Sequence, residues 1–219
     1  MIRLHHIPFS RSFRVLWLLE ELGLKTELSH YSITDGSLRA SEFKAISPVG
    51  RVPALEIDGI TIYESAGIVE YLTETRPEHG LGRLAGDPER VPFLEWLGFA
   101  ETQASILASL NMHHLFMGDP TPASPVTLKL EAARLAATLK ALEAKLDGQE
   151  WLLASGFSAA DTMMGFNLFA APYYVHLDRF ENVCAYIERI KERPAYQEAR
   201  KLDGKQEFYK KDFYEVPNG

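Results

Sequence analysis

The chain has 219 residues, 46% of them hydrophobic and 24% charged, and carries a net charge of −7. The length favours two modest domains over one, since single domains usually run to about 100–200 residues, and the composition excludes wholesale disorder. The acidity is spread along the chain, with 8 Lys/Arg against 10 Asp/Glu in residues 1–76 and 15 against 20 in residues 77–219, so there is no basic half to neutralise nucleic-acid phosphates.

No stretch approaches the roughly 18 uncharged apolar residues of a membrane span, and the N-terminus lacks the basic-then-apolar pattern of a secretory signal; neither membrane nor nucleic acid is an expected partner, and a cytoplasmic location is expected. The single cysteine, Cys184, excludes dithiol chemistry on the chain's own residues. Any thiol reaction therefore uses a borrowed thiol.

In chain order, "MIRLHHI" sets Ile2 and Leu4 against Arg3 and His5 with a period of two and breaks at Pro8, which predicts a short strand. From Ser12 the spacing becomes helical through Phe13, Leu16, Trp17, Leu19 and Leu22, with Gly23 placed to end the helix. "TELSHYSI" (26–33) reads as a second strand and "SLRASEFKAI" (37–46) as a helix. "VPALEI", Asp58-Gly59 and "ITIY" form a hairpin, because a two-residue Asp-Gly loop between alternating runs favours a type I′ turn. "SAGIVEYLTE" (65–74) reads as a helix. The first half, residues 1–76, is thus a β-α-β-α-β-β-α unit.

Residues 77–92, rich in proline and glycine, read as a linker. Residues 93–219 read as an all-helical domain, with helical periodicity in 93–117, 126–146, 159–175 and 181–201. Ser158, with Asp161 three residues on, predicts an N-cap of the capping-box type. Pro172 predicts a kink or a helix end. Cys184 reads as a buried small hydrophobe, and the aromatic tail "EFYKKDFYEVPNG" either folds back or frays.

Three features carry chemistry. Ser10 sits where the first strand hands over to the first helix, whose N-terminus favours an anion; its hydroxyl can donate to a thiolate or be an inert loop group, and Ser12 reads as the helix N-cap. Pro53 in "GRVPALEI" is either an ordinary strand-entry proline or a cis proline that turns the Val52 backbone toward an extended peptide ligand. In "YESAG", Glu64 and Ser65 open a helix, as a plain cap or as a grip on a zwitterion. A serine hydrolase is excluded, since "GFSAA" is not a nucleophile elbow. The adjacent His113 and His114 point to different helix faces with no third ligand placed, which argues against a metal.

These segments, "SRSFRVLWLLEELG", "SPVGRVPALEIDGITIYESAGIVEYL" and "FSAADTMMGF", resemble the cytosolic glutathione S-transferases over the whole chain. The closest likeness is to the bacterial and fungal serine-type branch with an S-R-x-x-R segment. The resemblance implies a thioredoxin-like N-terminal domain followed by an all-helical one, and glutathione as co-substrate. It implies that Ser10 faces the glutathione sulfur, with Ser12 or a backbone N–H as rival. Val52 would pair with the cysteinyl part, Pro53 would be cis, Glu64 and Ser65 would hold the γ-glutamyl end, and Arg51 would lie near the glycyl carboxylate. Arg11 and Arg14 would add positive potential.

The implied activity is a transferase of the detoxifying kind, in which the thiolate attacks small hydrophobic electrophiles, with peroxidase side activity. A glutathione-dependent isomerase and a non-catalytic glutathione-binding module are the alternatives. Phe9, Met112, His113 and Phe116 are candidates for the electrophile pocket, although Met112 and Phe116 have core spacing as well. The resemblance also implies a two-fold homodimer.

Overall fold

The structure, a computed structural model, describes residues 1–117 and 124–216. Four short strands, β1 (Arg3–His6), β2 (Glu27–His30), β3 (Ala54–Ile57) and β4 (Ile60–Tyr63), form one sheet in the order β2-β1-β3-β4. β1 runs parallel to β2 and antiparallel to β3, which pairs with β4. With helices α1 (Ser12–Glu21), α2 (Ser41–Ile46) and α3 (Ser65–Thr75) between and after the strands, this is the thioredoxin-like β-α-β-α-β-β-α order.

Local chemistry accounts for most of these elements. Asp58 and Gly59 both have positive φ, 55° and 78°, as the type I′ turn demands, so β3 and β4 are joined by two residues. α1 ends in a Schellman arrangement. The Leu24 N–H bonds Leu19 O at 2.9 Å and the Gly23 N–H bonds Glu20 O at 3.0 Å, with Gly23 at φ 64°. β3 begins at Ala54, after Pro53, which has no N–H to give the ladder. The segment 37–46, expected as one helix, is a 3₁₀ turn over Ser37–Arg39 followed by α2.

The alternation in β1 does not mark a solvent face. His5 and His6 are buried along with Leu4, because β1 lies between two neighbouring strands; each histidine is satisfied by hydrogen bonds instead. His5 reaches the Tyr31 hydroxyl and a Glu56 carboxylate oxygen, both at 2.9 Å.

The remaining helices are α4 (Arg90–Asn111), α5 (Pro125–Lys145), α6 (Ala159–Ala170), α7 (Glu181–Glu192) and α8 (Pro194–Asp203). Two expectations are corrected. The single helix expected over 181–201 is two helices: Pro194 lacks an N–H and biases the residue before it away from helix, and Arg193 is extended at φ −69°, ψ 126°. The helix expected to run to residue 117 ends at Asn111, where a π-helical turn, Met112–Phe116, takes over. Pro172 ends α6 in a 3₁₀ turn, as its ring requires.

The chain divides into two compact units, Met1–Arg90 with Lys191–Gln206, and Val91–Ile190 with Glu207–Gly219. The C-terminal helix α8 thus belongs to the unit that holds the sheet, whereas the sequence reading places residues 93–219 together. The reason is aromatic: Tyr196 of α8 meets Trp17 and Phe13 of α1 edge-on, with ring centroids 5.0 and 5.7 Å apart. α1 is consequently buried from Ser12 through Leu19.

In the second unit, Asp161 at the start of α6 accepts from the Ser158 N–H (2.7 Å), the Ser158 hydroxyl (3.1 Å), the Leu152 N–H (3.1 Å) and the Tyr186 hydroxyl (2.7 Å). Ser158 stands at the N-cap position as expected. The tail folds back. Tyr209 stacks on Tyr173 at 3.9 Å, and the Tyr214 N–H bonds Tyr173 O at 2.8 Å. Cys184 is half-buried rather than buried, and its thiol donates to Leu177 O at 3.4 Å. No helix among the described residues is long and apolar enough to cross a membrane.

Candidate active site

The loop between β1 and α1 brings Ser10 and Ser12 together, with their hydroxyl oxygens 2.7 Å apart. Ser10 is half-buried and Ser12 fully buried. Ser12 is not the N-cap. It is the first residue of α1, and the cap position falls to Arg11, which makes no capping side-chain bond. The Ser12 hydroxyl turns back toward β1 instead, 2.8 Å from His6 Nδ1 and 3.2 Å from Ile7 O, and accepts from the Ile7 N–H at 3.3 Å.

The first-turn amides of α1 already have acceptors. The Ser12 N–H bonds the Ser10 hydroxyl at 3.3 Å, the Phe13 N–H bonds Ser10 O at 3.0 Å, and the Arg14 N–H bonds Arg11 O at 3.2 Å. An anion at this helix entrance therefore meets side-chain hydroxyl chemistry more readily than an orphaned amide.

Phe9, next to Ser10, has a positive φ of 56°, sparsely populated for a bulky residue. Contacts with α8 hold it there. Its N–H donates to Asp203 Oδ1 at 3.1 Å, and the Arg200 guanidinium lies 4.2 Å from the centre of its ring. Asp203, fully buried, also accepts from Arg200 at 2.9 Å and faces His6 Nε2 through Oδ1 and its own carbonyl, each at 3.3 Å. His6 and Asp203 are the residues the sequence reading missed. His6 is hidden in the strand pattern, and nothing local marks Asp203.

The other candidates for glutathione binding sit on the same unit. The Val52-Pro53 peptide is cis, the second of the two alternatives for that proline. The loop before it is shaped by the buried Ser47, whose hydroxyl donates to Arg51 O at 2.8 Å and accepts from the Arg51 N–H at 3.3 Å. Gly50 is obligatory in that loop, since a Cβ there would stand 2.5 Å from Leu38 O. The Arg51 side chain is exposed. Glu64, exposed and at φ 74°, occupies the N-cap position of α3, and Ser65 is the first helical residue. Arg14 is fully buried and donates to the Ser65 hydroxyl at 3.0 Å, so α1 and the start of α3 are tied by two of the candidate residues. Arg11 is half-buried beside them in sequence.

Of the candidates for the electrophile pocket, Phe9 belongs to the first unit and Met112, His113 and Phe116 to the second. The last three lie on the π-helical turn, a feature frequent at functional sites. Met112 is exposed, Phe116 meets Phe208 of the tail edge-on at 5.8 Å, and His113 Nδ1 is buried without a hydrogen-bond partner.

The model of the glutathione S-transferase N-terminal domain matches residues 1–74. The chain is 30% identical over 212 residues to Glutathione S-transferase 3 of Schizosaccharomyces pombe, covering 89% of this chain and 85% of that protein. A crystal structure of a glutathione transferase from Methylococcus capsulatus superposes with a TM-score of 0.82 at 28% identity, over 93% of this chain and 98% of that one. The fold is shared also with the glutathione transferase URE2P6 of Phanerochaete chrysosporium in complex with oxidized glutathione, at a TM-score of 0.83, 24% identity, and 92% and 96% coverage. By sequence and by fold together, this chain belongs to the glutathione S-transferase family.

Proposed function

We propose that this protein is a glutathione transferase of the serine type, which binds glutathione on its thioredoxin-like unit and ionises its thiol beside Ser10 for attack on small hydrophobic electrophiles. The observation that carries the reading is the half-buried Ser10 hydroxyl, held 2.7 Å from Ser12 at the entrance of a buried helix. A free thiol, with a pKa of about 8.5, is only a few per cent thiolate at neutral pH. Lowering that value by about two units takes about 2.7 kcal/mol of selective stabilisation of the anion. A charge-assisted O–H···S⁻ bond contributes about 1.5–3 kcal/mol and a helix terminus about 0.3–1 kcal/mol.

In this reading the Val52 backbone pairs with the cysteinyl part of the tripeptide beside Pro53. Glu64 takes the γ-glutamyl ammonium, and Ser65 its carboxylate. Arg51 lies toward the glycyl carboxylate, while Arg11 and Arg14 raise the local positive potential. Phe9 on the first unit, and Met112, His113 and Phe116 on the second, are each candidates for contact with the electrophile, and the same thiolate reduces peroxides as a side reaction. The URE2P6 complex supports a glutathione ligand for the fold.

Mixing the purified protein with glutathione and a chromogenic aryl halide tests the reading, with ultraviolet thiolate absorbance as the second readout. Ser10→Ala is expected to lose about tenfold or more in kcat/KM. Full activity of that variant moves the role to Ser12 or the backbone. Binding of glutathione with no thiolate signal leaves a ligand-binding module. We infer in addition a homodimer, for which the exposed Val91 and Leu94 on α4 offer apolar surface. A single species of 24.7 kDa in sedimentation contradicts it.

A further inference from the structure

We propose that Ser10, Ser12 and His6 form a proton wire that delivers the thiol proton of bound glutathione to the buried imidazole of His6, with Asp203 as the counter-charge. The inference rests on the reading of Ser10 as the group that faces the sulfur.

Donor and acceptor inventory sets the direction of the wire. His6 Nε2 faces only acceptors, the carbonyl oxygen and Oδ1 of Asp203, each at 3.3 Å, so it carries the hydrogen of the neutral ring and Nδ1 presents a lone pair. The Ser12 hydroxyl has two acceptors in reach, His6 Nδ1 at 2.8 Å and Ile7 O at 3.2 Å; its proton goes to the nearer, Nδ1, since Ile7 O already receives the Ser10 N–H at 3.2 Å. The Ser12 oxygen has two lone pairs, which accept the Ile7 N–H at 3.3 Å and the Ser10 hydroxyl at 2.7 Å. Ser10 Oγ in turn accepts the Ser12 N–H at 3.3 Å and keeps one lone pair, which can receive an S–H.

Transfer reverses every hydroxyl without leaving a polar group unsatisfied. The S–H bond breaks and its proton goes to Ser10 Oγ; the Ser10 proton passes to Ser12 Oγ, and the Ser12 proton to His6 Nδ1. The electron pair of the S–H bond stays on sulfur. In the product Ser10 donates to the thiolate, Ser12 donates to Ser10, and the imidazolium donates to Ser12 through Nδ1 and to Asp203 through Nε2. Both end states use the same four positions, so the wire needs no rearrangement of heavy atoms.

Among the groups facing His6, the Asp203 carboxylate favours a ring that gains charge, and the Arg200 guanidinium opposes it from farther away. From α8 come the Asp203 carboxylate and Arg200, whose guanidinium bonds the far oxygen, Oδ2, at 2.9 Å and leaves Oδ1 toward the ring. From α1 comes Ser12. From β2 comes His30, its ring centroid 5.7 Å from that of His6. His6 does not touch the sulfur, so it is a positioning residue that acts through two hydroxyls.

The test counts protons. Glutathione and S-methylglutathione are titrated calorimetrically into the full-length protein at neutral pH in two buffers of different ionisation enthalpy, and thiolate is read by ultraviolet absorbance. The difference between the two ligands isolates the thiol. The wild type is expected to form thiolate while releasing well under a full proton per thiolate. His6→Asn keeps an acceptor for Ser12 but takes up no proton; it is expected to release a full proton per thiolate and to lose about tenfold in kcat/KM at neutral pH. Ser12→Ala breaks the same wire with no loss of aromatic packing, and decides the matter if His6→Asn does not fold. Full proton release by the wild type, or wild-type proton balance in a folded variant, overturns the wire. Failure of the wild type to bind glutathione at all is seen in the first titration and overturns the proposed function and the wire together.

Discussion

Glu21 and Arg193 meet as a two-point ion pair, Nε to Oε1 and Nη2 to Oε2, both at 2.7 Å. The Trp17 indole N–H donates to the same Oε1 at 2.8 Å, so one carboxylate ties the C-terminal end of α1 to the residue at which the last helix pair breaks. A parallel fork of this kind belongs to arginine alone, since a lysine ammonium offers no planar pair of donors. Arg193→Lys is expected to destabilise the protein by about 1–3 kcal/mol, read as a lower midpoint in urea with an unchanged slope. An unchanged midpoint would mean that α8 is held by its aromatic contacts alone.

Asp161 gathers four donors in a fully buried position. Burial is the leading influence on its carboxyl and raises its pKa, with the Tyr186 hydroxyl and the other donors opposing. Asp161→Ala strands all four donors at once and is expected to cost at least about 3 kcal/mol. Asp161→Asn keeps part of the acceptor capacity and is expected to cost less. Equal thermal midpoints for the two variants would refute the hydrogen-bond account.

Two histidines make stability depend on pH. His30 is lowered from its ordinary 6.5 by burial and then by His6, and His114 by burial and then by His113 and Lys211. A depressed folded value means that the unfolded chain takes up protons first as pH falls. Their contribution is therefore complete above about pH 6.5 and is lost as pH drops through the lower folded values. The thermal midpoint is expected to fall on acidification below that point, and less steeply in a His30→Gln, His114→Gln double variant. Parallel acid limbs would sink this assignment.

The tail is anchored at Asn111, whose Oδ1 accepts from the Tyr174 hydroxyl at 2.6 Å and the Tyr209 hydroxyl at 3.1 Å. Asn111→Ala leaves two phenols to find new partners and is expected to destabilise by about 1–3 kcal/mol. Limited proteolysis is expected to cut the variant earlier within residues 207–216 than the wild type, and an identical digestion course would show that the stacking of Tyr209 on Tyr173 suffices by itself.

Much of the fold follows from short-range signals. The Asp58-Gly59 turn, the Gly23 helix stop, the Ser158 cap and the break at Pro8 each depend on backbone preferences of one to four residues, and the structure has all four. The sequence signals fell short where neighbours in space outweighed neighbours in sequence. His5 falls on the polar side of the alternation in β1, yet it is buried, as is His6 on the opposite face, because the strand that holds them is flanked on both sides. Ser12 has the residue type of an N-cap, but His6 and Ile7 offer its hydroxyl partners that a cap does not have. The break at Arg193-Pro194 was legible in principle, since proline disfavours helix at the residue before it.

What the residues by themselves determined was the order of elements and the family, because hydrophobic period, turn chemistry and motif spacing act over a few residues. Only the tertiary structure joined His6 to Asp203, 197 residues apart, and set both behind Ser12 and Ser10. Such a contact comes from the packing of a C-terminal helix on the first one through Tyr196, Phe13 and Trp17, and no local preference of either segment encodes it.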